Sequence, residues 1–493
     1  MSTNSSDHNW KTLDRDLGRI ASFESATLYV AKPLVGLGIA LVFILLAGLA
    51  ASILFGGTST SYVVIAAAAV GAYMAVNIGA NDVANNMGPA VGANALTMGG
   101  AILIAALCET AGALLAGGDV VSTISKGIIN PESVSGHDVF IWAMMAALIS
   151  SALWVNLATW LGAPVSTTHA VVGGVMGSGI AAAGFAAVNW PTMGTIAASW
   201  VISPVLGGTI AALFLWFIKS YIIYQEDKIA AARKWVPVLI AIMAGVFATY
   251  LAMKGLKKVI DISGTTAVLT GVGVGIVTYF GAVPVVKRQS EGLENRNRSL
   301  KVLFTVPLVI SAALLSFAHG ANDVANAVGP LAAIVHAEQF GEFAGKVEIP
   351  VWVMVIGALG LSFGLVLFGP KLIRMVGNQI TKLNPMRAYC VALSAAITVI
   401  VASWLGLPVS STHIAIGGVF GVGFFREYHE ERRARLSNAT RAEAERIAPE
   451  ERRRRKLVRR SHFMTIIAAW VVTVPAAAFM SGVIFLILHG AFG

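Results

Sequence analysis

Residues 79–85 read GANDVAN, and residues 320–326 read GANDVAN again. Each copy is followed by two residues and then Gly-Pro, Gly88-Pro89 in the first and Gly329-Pro330 in the second. Further on, Gly162-Ala163-Pro164-Val165-Ser166-Thr167-Thr168-His169 recurs as Gly406-Leu407-Pro408-Val409-Ser410-Ser411-Thr412-His413. Both copies continue to a glycine pair, Gly173-Gly174 and Gly417-Gly418. Asp82 precedes Ser166 by 84 residues and Asp323 precedes Ser410 by 87. Two motifs in one order at nearly one separation mark a duplicated chain, so the fold must be built twice.

The medium in which it is built follows from charge. Only 12% of the residues are Asp, Glu, Lys or Arg, and 56% are apolar; soluble domains carry roughly 25% charged residues. This excludes a soluble multidomain enzyme and a disordered or fibrous chain, and it leaves an all-α integral membrane protein. Apolar windows near 20 residues fall at 33–55, 61–80, 97–117, 138–161, 164–184, 194–218, 235–253, 264–286, 302–321, 350–369, 386–405, 408–425 and 463–489. They predict 12–13 transmembrane segments, some of them half-spans. Residues 1–32 are polar and mixed in charge, a poor signal peptide, so we expect a tail and a retained first span.

The net charge of +10 is concentrated, with 13 Lys or Arg in residues 426–460. A basic loop on such a chain reads as a topology signal rather than as a nucleic-acid surface. With the N-terminus inside, the basic loops 219–234, 287–301, 370–385 and 426–462 share its side, and Lys254, Lys257 and Lys258 are the exception. The C-terminus is then outside. The repeats begin seven crossings apart, an odd number, so the halves face opposite ways. Inverted-topology repeats with broken helices typify secondary transporters, which hold their cargo near the midplane. The expected organisation is a cytoplasmic tail (1–32), an extra span (33–55), a first repeat (61–218), connecting spans (235–286) and a second repeat (302–489) that includes the basic loop 426–462.

Asp82 and Asp323 lie at the ends of long apolar spans, where a carboxylate costs about 2.5–3.5 kcal/mol on insertion scales unless it is paired or wetted. No Lys or Arg is near in sequence, so a cation or a proton is the expected partner. Oxygen-rich neighbours, Asn81 and Asn85 in one copy and Asn322 and Asn326 in the other, favour a hard cation such as Na⁺. The glycines are expected to open the helix, and Pro89 and Pro330 to end it. The second motif has the opposite character. Pro pre-sets a new helix, and Ser166, Thr167 and Thr168, with Ser410, Ser411 and Thr412, occupy its first turn. Free N–H donors, a partial positive charge and added hydroxyls make an anion site. Two such ends facing each other could hold a tetrahedral oxyanion without arginine. The aspartates would repel it until a cation or protons neutralise them, which predicts coupling between the two cargoes.

Other residues carry blander readings. A Ser/Thr run after Pro is commonly only a cap. His169 and His413 read as packing residues. His319 has Ile78 at its matched position, which argues against a shared essential role. Glu109 is an acid in mid-span with an apolar counterpart, a candidate gate or proton site. The glycine runs at 173–179 and 271–275 read as helix-packing surfaces. Cys108 and Cys390 are too few for a disulfide scaffold.

The paired GANDVAN and P-V-S-[ST]-T-H motifs resemble those of the inorganic phosphate transporter family, over roughly residues 61–489. The resemblance implies a cation-coupled carrier of inorganic phosphate. Asn81, Asp82, Asn85, Asn322, Asp323 and Asn326 match the signature associated with cation and phosphate binding. The hydroxyl runs match the phosphate-contacting half-helices, and Glu109 matches an acidic position in an E-T-x-G context. The span at 33–55 is additional to the usual twelve, and Asn86 stands where the family commonly has a small residue. The expectation is therefore a phosphate importer of a bacterial cytoplasmic (inner) membrane, working by symport with Na⁺ or H⁺ and alternating access. It needs no cofactor, no enzymatic chemistry and no nucleic acid. Its partners are phosphate, the coupling ion, the bilayer and, as an open matter, further copies of itself. A sulfate permease of the same fold, an anion channel and an enzyme acting on a phosphorylated lipid are the rival readings.

Overall fold

A computed structural model describes residues 34–55, 61–130, 133–134, 136–161, 165–255, 262–341, 349–379, 383–436 and 460–492. The tail at 1–32, the glycine-proline turn 162–164, Lys257, Lys258 and the arginine-rich 452–456 lie outside them. The described chain is helical, with one isolated bridge between Ile129 and Val188.

In chain order the helices are α1 Leu34–Phe55, α2 Ser61–Gly92, α3 Met98–Ala116, α4 Gly118–Lys126, α5 His137–Leu161, α6 Thr167–Ala183, α7 Trp190–Ile218, α8 Lys228–Lys254, α9 Gly264–Gln289, α10 Asn297–Leu303, α11 Thr305–Asp323, α12 Ala325–Phe340, α13 Val351–Gln379, α14 Pro385–Trp404, α15 Ser411–Leu436 and α16 Arg460–Phe492. Eleven spans among the described residues are long and apolar enough to cross a membrane. The two expected segments missing from that set are α6 and α15. The reason for α6 is length: at 17 residues it spans only about 25 Å of the roughly 30 Å hydrocarbon core. The reason for α15 is charge, because its outer half carries Arg426, Arg432 and Arg433.

Both helices are instead the return arms of hairpins. The Ser151 hydroxyl of α5 donates to the Ala170 carbonyl of α6 (3.1 Å), and the α6 backbone at Gly174 lies against Ala147, Ser150 and Ser151. Gly418 of α15 lies in the same way against Val391 and Ser394 of α14. The tips of these hairpins carry the Ser/Thr motifs. Their arms start from opposite ends of the bundle. His137, at the start of α5, reaches the Ala337 carbonyl near the end of α12 (2.6 Å). At the other end, Lys219 lies over the Phe425 ring, Tyr224 stacks on His429, and Asn295 bonds Lys228 and Glu226. The described parts of the basic loops 219–234, 287–301 and 426–436 thus gather at one end. Lys254, on the exceptional loop, is paired with Asp119.

The halves interlock rather than sit side by side. α2 packs on α13 and α11 on α3; α6 packs on α16 and α15 on α7. The crossings are backbone to backbone. A Cβ at Gly320 would overlap the Glu109 carbonyl, and one at Gly112 would overlap that of Phe317. The matched crossing brings Gly79 onto Leu361 and Gly364 onto Val76. Without hydrophobic driving force in lipid, such close approach supplies packing energy that larger residues would forfeit.

One expectation is corrected. Neither proline ends its helix: Pro89 lies inside α2 and Pro330 inside α12. The first GANDVAN copy is unbroken helix, and the second is interrupted only at Val324. A proline in a helix removes one bond to the residue four before it, and the packed neighbours hold both flanks in line. The residues four before are Asn85 and Asn326. The effect is local: it releases the carbonyl oxygens of two motif asparagines from the helical ladder.

Candidate functional site

The two GANDVAN copies and the two hairpin tips meet in the interior. Asp82, Asp323, Asn81, Asn322, Asn326 and all six motif hydroxyl residues are buried. Each hydroxyl run divides its labour. Ser166 and Ser410 are caps, their Oγ accepting the His169 N–H (3.1 Å) and the His413 N–H (3.3 Å). The second member serves the aspartate of its own half: Thr167 donates to Asp82 Oδ2 (2.9 Å), and Ser411 donates to Asp323 Oδ2 (2.9 Å). The third member reaches across. Thr412 donates to Asp82 Oδ1 (3.0 Å), and Thr168 donates to the Val409 carbonyl (3.0 Å). The two broken ends therefore abut, with Asp82 held by one hydroxyl from each.

The asparagines complete the frame. Asn85 donates to Thr412 Oγ1 (2.8 Å), and its counterpart Asn326 donates to Thr168 (3.2 Å) and Thr167 (3.3 Å). Asn81 donates to Thr159 (2.8 Å), and Asn322 donates to Ser403 (3.0 Å) and to the Leu407 carbonyl (3.1 Å). Thr159 and Ser403 stand at equivalent places before the two hairpin tips, so these asparagines tie each GANDVAN helix to its own hairpin. Asn322 also accepts the Val409 N–H (3.3 Å). Asp323 Oδ1 and Asn326 Oδ1, like Asn86 Oδ1 and Glu109 Oε2, are buried oxygens with no hydrogen-bond partner among the described residues. Such acceptors can take a ligand or an ion.

Three of the places where the symmetry fails join in one network. His319 Nε2 lies 2.8 Å from Asp323 Oδ2 and 4.0 Å from Asp82 Oδ2, while its Nδ1 lies 3.1 Å from Glu109 Oε1. Asn86 donates to the same Glu109 oxygen (3.0 Å). At the matched α2–α13 crossing, Ile78 stands for His319 and Leu361 for Glu109, and Ala327 matches Asn86. The aliphatic counterpart Ile78 masks His319, but spacing marks it: His319 precedes Asp323 by four residues, which puts both on one helix face. One atom each from Asp82, His319 and Asp323 lie within 4.8 Å of one another.

His169 and His413 flank the tips as packing residues, in line with the bland reading. Their rings meet edge to face at 4.5 Å, and each lies against a tryptophan, Trp200 at 3.8 Å and Trp470 at 3.5 Å.

This arrangement sets two helix starts and their hydroxyls beside two buried carboxylates. A profile described as the phosphate transporter family matches residues 78–481. A Helicobacter pylori protein named "Putative phosphate permease" is 44% identical over 96% of this chain and 98% of its own length. The Arabidopsis thaliana protein named inorganic phosphate transporter 2-1, chloroplastic, is 35% identical over 96% of this chain and 77% of its own. A solved structure titled "The sodium-dependent phosphate transporter" superposes with a TM-score of 0.78 at 34% identity, covering 87% of this chain and 99% of that one. With its duplicated signature, its paired hairpins and a match over most of its length, the chain belongs to the phosphate transporter family, a family of multi-pass membrane carriers rather than enzymes.

Proposed function

We propose that the chain imports inorganic phosphate across a bacterial cytoplasmic membrane by symport with Na⁺, its interlocked halves opening one central site to either side in turn. The observation that carries this reading is the convergence on Asp82 of Thr167 and Thr412, which belong to helix starts of opposite halves. Such starts offer N–H donors and a partial positive charge to an anion. In this reading phosphate lies among Thr167, Thr168, Ser411, Thr412, Asn85 and Asn326, with Ser166 and Ser410 shaping the turns by capping. Asp82 and Asp323 hold the coupling ion, and Asn81 and Asn322 brace its walls.

The choice of Na⁺ rests on the donors. Carboxylates and the carbonyls of Asn85 and Asn326, released by the prolines, are hard oxygen ligands, and the similar solved structure is titled sodium-dependent. Phosphate next to two carboxylates is repelled until a cation lies between, so each cargo raises the other's affinity. The gathering of basic loops at one end of the bundle supports a cytoplasmic assignment for that end, with the C-terminus on the other side.

Purified protein in sealed vesicles tests this. Labelled phosphate should accumulate when an inward Na⁺ gradient is imposed and should stop when Na⁺ is replaced by choline. Accumulation driven by a pH gradient alone would reassign the coupling ion to H⁺. Equal displacement by sulfate would overturn the substrate, and flux indifferent to both gradients would make the protein a channel.

A further inference from the structure

A second polar place lies away from the centre, at the end of the bundle where the basic loops gather. A cavity of about 480 Å³ opens between the end of α2, the α10–α11 junction and the start of α14. Its polar lining is Asn94, Lys301, Thr305, Asn384 and Arg387, and no carboxylate is among the described lining residues. Arg387 is fixed in place, because Asn384 Oδ1 accepts both its backbone N–H (3.0 Å) and its Nε–H (3.2 Å). Lys301 is exposed and forms no ion pair among the described residues. Gly92, on the rim, is ten residues past Asp82 on one continuous helix, about 15 Å along the axis.

The inverted repeat supplies an internal control. Residues matched to Asn94, Thr305, Asn384 and Arg387 are Val335, Val64, Phe140 and Ala143, and all four are buried in apolar packing at the opposite end. At that end apolar residues take these four places, so the scaffold does not require the polar residues of this one. An anion between these two side chains would meet positive charge on both sides. Hydroxyl and amide groups beside paired cations suit an oxyanion with several acceptor oxygens.

We propose that this mouth is a second oxyanion site, which holds a phosphoryl group between Lys301 and Arg387. The group is either free phosphate passing to or from the central site or the headgroup of an anionic lipid. The first source rests on the reading of the chain as a phosphate carrier; the second does not.

The test uses the full-length protein in vesicles of phosphatidylcholine alone and of phosphatidylcholine with phosphatidylglycerol, comparing wild type, Lys301→Gln, Lys301→Arg and the double variant Lys301→Gln/Arg387→Gln. If the mouth serves free phosphate, Lys301→Gln raises the phosphate KM in pure phosphatidylcholine by roughly two- to fivefold, as expected for one partly exposed charge. In that case kcat is kept, and the difference shrinks as choline chloride is added. If the mouth holds a lipid, KM is unchanged there, and Lys301→Gln loses the thermal stabilisation that phosphatidylglycerol gives to wild type. Lys301→Arg matches wild type in both arms. Identity of Lys301→Gln with wild type in both arms overturns the proposal, and so does a Lys301→Arg variant as defective as Lys301→Gln. The single variant on an exposed lysine keeps the test open should the double variant fail to fold. A wild type that accumulates no phosphate sinks the carrier reading instead and leaves the lipid arm standing.

Discussion

The hydroxyl of Thr412, in the second half of the chain, donates a 3.0 Å hydrogen bond to the Asp82 carboxylate in the first. Its pseudo-symmetric mate, Thr168, makes no such bond to Asp323 and turns instead to the Val409 carbonyl. Asp323 is held on that side by His319 at 2.8 Å. The two aspartates are thus placed alike by the repeat and partnered differently: Asp82 by two neutral hydroxyls, Asp323 by one hydroxyl and an imidazole.

Removing the cross-half hydroxyl should therefore weaken transport without unfolding the protein. A hydrogen bond to a charged group contributes about 1.5–3 kcal/mol, so Thr412→Ala should lower kcat/KM for phosphate by about tenfold or more. Thr168→Ala, which loses a bond to a carbonyl and one from the Asn326 amide but none to a carboxylate, should lose less. Uptake normalised to the amount of folded protein in the vesicles makes the comparison, and equal losses in the two variants would deny Asp82 its special dependence on Thr412.

Asp82→Asn and Asp323→Asn keep size and most hydrogen bonding while removing the charge that a coupling cation would meet. Each should cut Na⁺-driven uptake by tenfold or more and leave the detergent-solubilised protein monodisperse. Near-normal uptake in either variant would remove that aspartate from the mechanism.

The buried Glu109–His319 contact should be strongly non-additive. Truncating one partner leaves the other buried without its bond, a cost of about 1–3 kcal/mol and more for a charged group. Glu109→Leu and His319→Ile should each lower thermal stability for this reason. The double variant recreates the Ile78 and Leu361 pair of the matched crossing and should recover much of the loss, giving a coupling energy of about 0.5–3 kcal/mol. Thermal unfolding of the four proteins in one detergent measures it. Simple additivity would mean that the two side chains do not depend on each other.

These contrasts also explain what could be read from residues alone. The duplicated motifs, their order and their spacing located both aspartates, all six hydroxyls and the asparagines around them, because inverted repeats force matched motifs together wherever the halves meet. What the duplication marks without joining is where it is broken. His319 looks unimportant when judged by its counterpart, while Glu109 reads as a lone candidate gate and Asn86 as an isolated departure, yet they meet in one network because Gly112 and Gly320 let α3 and α11 approach at backbone distance. The prolines misled for a related reason: a helix in water would end near them, but packed flanks carry α2 past Pro89 and α12 past Pro330. Thr159 and Ser403 lie outside both motifs, and only the repeat marks them, as hydroxyl residues at the same distance before their hairpin tips.

The α3–α11 crossing yields the last prediction. A methyl group at Gly320 would meet the Glu109 carbonyl oxygen, which belongs to a helix backbone and cannot rotate away. Gly320→Ala should therefore push the helices apart and cost about 1–3 kcal/mol of strain. Gly99, on the same α3, has nothing within 4 Å of its would-be Cβ, so Gly99→Ala should be neutral or stabilising by about 0.4–1 kcal/mol. Thermal unfolding separates the two. Transport should separate them further, because widening this crossing also pulls Glu109 away from His319. The loss of uptake in Gly320→Ala should exceed what its lowered stability alone accounts for at the assay temperature. A variant with full activity per folded molecule would show that the site does not depend on the closeness of these two helices.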